Sequence, residues 1–209
     1  GTKFVRGMLE DSRPQTFSDL VRISGFSHGT NVWLDNAQDL IKNGTCKLNE
    51  AISTRDDVMN FLIHRGMDRK HSFFVMENVR KGKGIEKRNK QGQATTEFEA
   101  EMRENNIPEW FIDSCKKISY LFPRAHAVAY VMMAFRIAWF KVYHPLAFYA
   151  AYFSIRAKAF DLRIMTGDLK TQMTEFNRIK ALDRGASPKD KDLMSALEVS
   201  MEMYQRGYR

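Results

Sequence analysis

Apolar residues recur along this chain at the three- and four-residue intervals that gather side chains on one face of a helix. Thr54-Arg55-Asp56-Asp57 reads as a capping box ahead of Val58, Phe61 and Leu62, and Gly66 closes that helix. A second helix is predicted from Asp68 to about Lys81, burying Phe73, Phe74 and Met76 and stopped by Gly82. Thr96 with Glu99 reads as the start of another, carrying Phe98 and Met102 one turn apart. Pro108 suits the first turn of the next, with Phe111, Cys115 and Ile118 inward. Pro123 breaks the pattern, a long helix follows from about Ala125 to Val142, and His144-Pro145 separates it from a helix over Leu146 to about Ala157. Asp168 to Leu182 places Leu169, Met173 and Phe176 on one face. Ser187-Pro188-Lys189-Asp190 caps a last helix lined by Leu193, Leu197, Met201 and Tyr204.

No stretch alternates as a strand would, so the predicted class is all-α: a multi-helix domain with irregular loops. Two segments read as loops. Residues 24–33 (SGFSHGTNVW) are rich in Gly, Ser and Thr without helical period, and residues 82–95 (GKGIEKRNKQGQAT) are basic, polar and glycine-containing. No repeat of solenoid length is present. Ala127 to Ile155 is dense enough in apolar residues to be tested as a membrane span. Arg136, Lys141 and His144-Pro145 interrupt it, so two consecutive buried helices are expected instead, and no membrane.

Composition narrows the picture. The 209 residues allow one large domain or two small ones, and 44% hydrophobic residues with 12% aromatics supply a core and exclude wholesale disorder. A formal charge of +8 favours a polyanionic partner, nucleic acid or an anionic surface. The two cysteines, Cys46 and Cys115, form neither a CxxC pair nor a disulfide framework, which points to a reducing, cytoplasmic location. The first residues, Gly1 to Arg6, are not a signal peptide and begin in mid-pattern, as a piece of a longer chain would.

Three constellations could carry chemistry. In Glu77-Asn78-Val79-Arg80-Lys81-Gly82-Lys83-Gly84 a helix ends in two cations and turns through glycines, and six positive charges fall between Arg80 and Lys90 against the single Glu86. Phosphates are natural partners for such a turn; a solvated basic tip favoured by the helix dipole fits the same residues. In residues 120–130 (YLFPRAHAVAY), Arg124 sits at a helix start while His126 and Tyr130 share a face one turn apart. Cation, imidazole and aromatic plate would suit a nucleotide; a core tyrosine beside a capping histidine is the plainer alternative. Ser27-His28-Gly29-Thr30 is a hydroxyl-rich loop rather than a nucleophile–base pair, since adjacency does not supply the geometry and no orienting acid is evident. The five histidines show no metal-ligand spacing, and no Asp-x-Asp marks a two-metal site; Asp56-Asp57 falls where a helix dipole favours acids anyway.

SGFSHGTNVWLDNAQDLI, RDDVMNFLIHRG, ENVRKGKG, the long run from IPEWF to SIRA and DLMSALEVSMEMYQRGY resemble consecutive blocks of the PolC-type DNA polymerase III alpha subunit, the replicative polymerase of Firmicutes and their relatives. The resemblance covers nearly the whole chain, and FPRAHAVAY and HGTNVW carry it most specifically. It implies a fingers region over residues 1–209, with a first helical subregion at 1–84, a basic loop at 85–95 and a second helical subregion at 96–209. The resemblance places catalytic aspartates and their magnesium upstream in the palm, and duplex- and clamp-binding segments downstream. It implies a nucleotidyltransferase whose partners are primer-template DNA, the incoming dNTP, the remaining polymerase domains, and through them sliding clamp and clamp loader. This piece alone would be inactive and hold no cofactor.

By the same resemblance Arg80 and Tyr130 fall around the nascent base pair, and Lys81, Lys83, Arg124 and His126 around the nucleotide's phosphates. Ser27, His28, Thr30 and Phe122 fall where contacts to the nascent base pair or within the loop are expected. Two positions depart from the family pattern, which has Lys where Arg124 stands and Asp where Asn31 stands. The other readings of the sequence are a free-standing helical nucleic-acid-binding module without catalysis, and a helical module docking on proteins through an apolar face around Phe135, Trp139 and Phe140.

Overall fold

A computed structural model describes residues 2–88 and 94–208. It is all-α, with twelve α-helices among the described residues, and divides into two compact units, 1–133 and 134–209. The first contains α1 (Lys3–Ser12), α2 (Phe17–His28), a π-type turn at Trp33–Ala37, α3 (Gln38–Lys42), α4 (Arg55–His64), α5 (Arg69–Arg80), α6 (Glu97–Glu104) and α7 (Glu109–Lys117). The helix α8 (Arg124–Tyr143) begins in the first unit and ends in the second, which adds α9 (Pro145–Ala151), α10 (Leu162–Met165), α11 (Leu169–Ala181) and α12 (Pro188–Gln205). A pair of two-residue strands, β1 (Lys87–Arg88) and β2 (Ala94–Thr95), closes antiparallel with Lys87 opposite Thr95. The basic loop of residues 85–95 therefore lies inside the first unit, and its residues 89–93, with Lys90, are outside the described residues.

Side chains at the helix starts explain where the helices begin. Thr54 with Asp57 and Ser187 with Asp190 form the capping boxes expected of them, and Thr16 with Asp19 forms a third. Asp68 accepts from the amides of Lys70 and His71 to start α5. Thr96 makes no such bond at α6. Glu99 instead turns outward to ion pairs with Arg103 at 2.6 Å and Lys116 at 2.8 Å, which removes the acid that a capping box needs.

The core of the first unit forms where α4 packs along α5 and both meet α2 and α7. Phe26 tilts against Trp33, Phe61 stacks on Phe111 at 4.1 Å, and Leu62, Val75, Ile112 and Cys115 are fully enclosed. Each such side chain contributes roughly 1.5–3 kcal/mol by leaving water. A smaller cluster of Val21, Ala127 and Val131 seats the first turns of α8. In the second unit α11 packs along α12 around Met165, Ile179, Ala196 and Leu197, and Lys141 pairs with Glu202.

Three expectations are corrected. The stretch 24–33 is not all loop: α2 continues through His28. Gly25 reads as a loop signal but serves packing, because a Cβ there would lie 2.5 Å from the Ser53 carbonyl oxygen. Phe73 and Phe74 are exposed, since the buried row of α5 is Ser72, Val75, Met76 and Val79, a period that skips both rings. The apolar run of 127–155 does not form two buried helices. Beyond Val131 the apolar side chains of α8 are exposed: Phe135, Trp139 and Phe140 are each about half accessible, as is Leu146 in α9. By length and composition alone α8 could cross a membrane.

Candidate functional site

Four residues, Ser119–Phe122, lie extended between α7 and α8 and are bonded to three distant parts of the first unit. The Thr30 amide donates to the Tyr120 carbonyl and the Ser119 amide donates to the Thr30 carbonyl, both at 3.0 Å. The Leu121 amide donates to the Arg80 carbonyl at 3.3 Å, and the Arg55 amide to the Phe122 carbonyl at 3.2 Å. Gly82 presses on the same segment: its φ is +69°, and a Cβ would lie 2.5 Å from the Ser119 carbonyl oxygen, so the turn after α5 needs glycine on both counts. The HGT loop, the VRKGKG turn and the start of α4 thus meet on one short stretch of backbone.

Asn31 holds the loop to this segment. Its backbone is left-handed at φ 56°, which asparagine tolerates, and its side-chain amide donates to Ser119 Oγ at 2.9 Å. Behind it, buried Asn36 donates to the Asn31 carbonyl and accepts from Ser114 Oγ at 2.7 Å, fastening the loop to α7.

An aromatic group covers the segment. The His28 ring stacks on Phe122, with centroids 4.8 Å apart, and on Tyr130 at 5.4 Å, while His126 meets Phe122 edge-on. Phe122 is half-buried over Val21 and Ala127, whereas Tyr130 is 55% exposed and offers a ring to solvent. His28 Nδ1 lies 2.8 Å from the Ser24 carbonyl, which in the neutral ring puts the proton on Nδ1 and leaves Nε2 an acceptor. Ser27 Oγ lies 3.0 Å from His28 Nδ1 and donates to that same carbonyl at 2.9 Å; with the Nδ1 proton turned to the carbonyl, that nitrogen cannot accept from the serine and the two are no nucleophile–base pair.

The cations are paired. Arg80 forms a two-pronged contact with Glu77, Nε to Oε1 and Nη2 to Oε2, the latter at 2.8 Å, and Lys81 Nζ reaches Glu77 Oε2 at 2.9 Å. Hydrogen bonding from Arg80, followed by that from Lys81, holds the Glu77 carboxyl down at about 2, and the same bond to Glu77 raises Arg80. Arg124 donates its amide to Asp56 at 2.8 Å, and its guanidinium lies 3.8 Å from Asp57. Lys83 points elsewhere, lining an open cleft of about 960 Å³ with Asn78, Glu86, Thr96 and Glu99. His28, Thr30, Arg80, Arg124, His126 and Tyr130 therefore adjoin the 119–122 segment, which itself contributes Phe122, whereas the bonds of Ser27 stay within α2, Lys81 pairs with Glu77 and Lys83 lines the cleft. Lys90 of the basic run lies outside the described residues.

Sequence reasoning passed over Glu77 as a partner, although its i, i+3 and i, i+4 spacing to Arg80 and Lys81 was a signal. It also read Asp56 and Asp57 only as helix-start residues. Asp57 Oδ2 accepts from the amides and hydroxyls of Ser53 and Thr54, and Arg22 approaches at 3.6 Å. These bonds and the approach of Arg22 all fall on Oδ2, which ties the carboxylate to the start of α4. Among the described residues no three His, Cys, Asp or Glu side chains gather as a metal site.

Residues 1–106 match the bacterial DNA polymerase III alpha subunit finger domain, and the chain belongs to that family. Over its whole length it is similar to DNA polymerases III of PolC type: 55% identical to that of Caldanaerobacter subterraneus over 209 residues, 53% to that of Bacillus subtilis over 208, and 55% to that of Thermotoga maritima over 208. The chain spans 14% of the length of each of these relatives.

Proposed function

We propose that this chain is the part of a replicative DNA polymerase that receives the incoming dNTP and orients the template and nascent base pair. The observation that supports this most is the meeting of the Arg80 turn, the turn at Thr30 after α2 and the Arg124–Tyr130 helix start on Ser119–Phe122. Arg80, Arg124 and the exposed Tyr130 are thereby brought to elements that adjoin one segment. Arg80 and Arg124 offer charge-assisted donors to a triphosphate, and Tyr130, steadied by His28, offers a face to the base pair. Stacking on such a ring contributes about 1–3 kcal/mol per base. The work is positional: a correct pair fills the space against the ring and brings the α-phosphate into line, while a mismatch does not.

On this reading magnesium would be held by carboxylates of the palm, outside this chain, and would supply activation of the primer hydroxyl and stabilisation of the leaving pyrophosphate. The partners on this reading are primer-template DNA, dNTP and the other polymerase domains, with sliding clamp and clamp loader reached through them.

Single-nucleotide incorporation by the full-length polymerase tests the assignment. Tyr130→Ala and Arg80→Ala are each expected to raise KM for dNTP by about tenfold or more, the loss of a charged hydrogen bond or stacking contact worth roughly 1.5–3 kcal/mol. Unchanged kinetics in both variants would overturn the reading, as would template-directed extension by the isolated chain.

A further inference from the structure

We propose that Glu77 is a positioning residue: it locks the Arg80 guanidinium into one orientation and so sets which edge of it a phosphate meets. The proposal rests on the reading of Arg80 given above. Of the five N–H donors of Arg80, the Nε donor and one Nη2 donor are directed at the two oxygens of Glu77. The second Nη2 donor and one Nη1 donor share the Nη1–Nη2 edge, which faces away from the carboxylate and takes no hydrogen-bond partner among the described residues.

The backbone beneath is fixed independently. The Arg80 carbonyl accepts from Leu121, Gly82 abuts Ser119, and Val79 is fully buried one position before. Anchored at the Cα and again at the fork, the side chain has little rotamer freedom left to lose when a ligand binds, whereas a free arginine would lose most of it at that moment. Lys81 completes the arrangement. Its ammonium on Glu77 Oε2 leaves the three groups with a net positive charge, so the carboxylate orients the cation without cancelling the local field. Both members of the fork are largely sheltered, with side chains 26% and 20% exposed, so water competes for it less than at an open surface pair.

A competing role for the same carboxylate makes the opposite prediction. If Glu77 merely occupied the phosphate's place, neutralising it would free Arg80 and improve nucleotide binding. If it positions Arg80, neutralising it must weaken binding, and only while Arg80 is present.

The experiment is a double-mutant cycle in the full-length polymerase on a defined primer-template, with Glu77→Gln, Arg80→Ala and the combination, read as KM and kcat for single-nucleotide incorporation. Glutamine keeps the size of the side chain, and the thermal midpoint of each variant shows that it folds. Glu77→Gln is expected to raise KM for dNTP about threefold to tenfold with kcat little changed, and to add nothing in the Arg80→Ala background. A lowered KM, an unchanged KM, or an equal effect with and without Arg80 would overturn the positioning role. If Arg80→Ala itself leaves KM unchanged, the parent reading of Arg80 falls and this inference with it; an Arg80 effect beside a silent Glu77→Gln sinks the inference alone.

Discussion

His28 is held at its edge, with Nδ1 against the Ser24 carbonyl, and its ring lies near-parallel to both Phe122 and Tyr130. Glu77 is held as firmly, by charge. Its carboxyl is depressed from 4.5 to about 2, first by hydrogen bonding from Arg80 and then from Lys81. A carboxyl whose folded value lies below its unfolded value stabilises the fold above about 4.5, and that contribution is lost as pH falls toward 2. The urea midpoint of the native chain should therefore drop more steeply over that window than the midpoint of Glu77→Gln; identical slopes would show that the fork adds nothing to folding. At this scale the sequence was readable wherever a residue's partner lies within a helical turn, as Glu77, Arg80 and Lys81 do. It was silent on pairs such as His28 with Tyr130 or Arg80 with Leu121, because those are made by tertiary packing and no local spacing encodes them.

The elements themselves were the most legible level. Caps at Thr54, Asp68 and Ser187 and breaks at Pro123 and Pro145 mark helix ends by local chemistry, and the helices begin and end close to them. Misreadings arose where a residue type has two uses. Gly25 in α2 lies against the backbone of Ser53 and lets two segments touch, yet glycine counts as a breaker in any local reading. Gly25→Ala is accordingly expected to cost about 1–3 kcal/mol by overpacking against backbone that cannot move aside, although alanine is the better helix former. Chemical denaturation measures it, and a neutral or stabilising result would mean that Ser53 yields.

Across the whole molecule, the first unit encloses a large contiguous core, whereas α8 leaves Phe135, Trp139 and Phe140 open to solvent. A run of this kind reads from sequence as core or as membrane span, because composition says that it must be covered and not by what. The chain is 14% as long as relatives such as the Bacillus subtilis polymerase. The isolated chain should bind a dye such as ANS and self-associate as its concentration rises. Replacing Phe135, Trp139 and Phe140 together by serine should reduce both, as followed by fluorescence and light scattering; unchanged dye binding would place the open apolar surface elsewhere.

The segment Ser119–Phe122 has a consequence for how this protein can vary in length. Thr30, Arg55 and Arg80 all take their register from it, so one residue inserted there displaces three contacts at a stroke. The turn at Gly44, where an added side chain would meet open space, can lengthen without moving any of them. Tolerance of insertion is set here by the number of neighbours aligned on a stretch of backbone, more than by its depth in the fold.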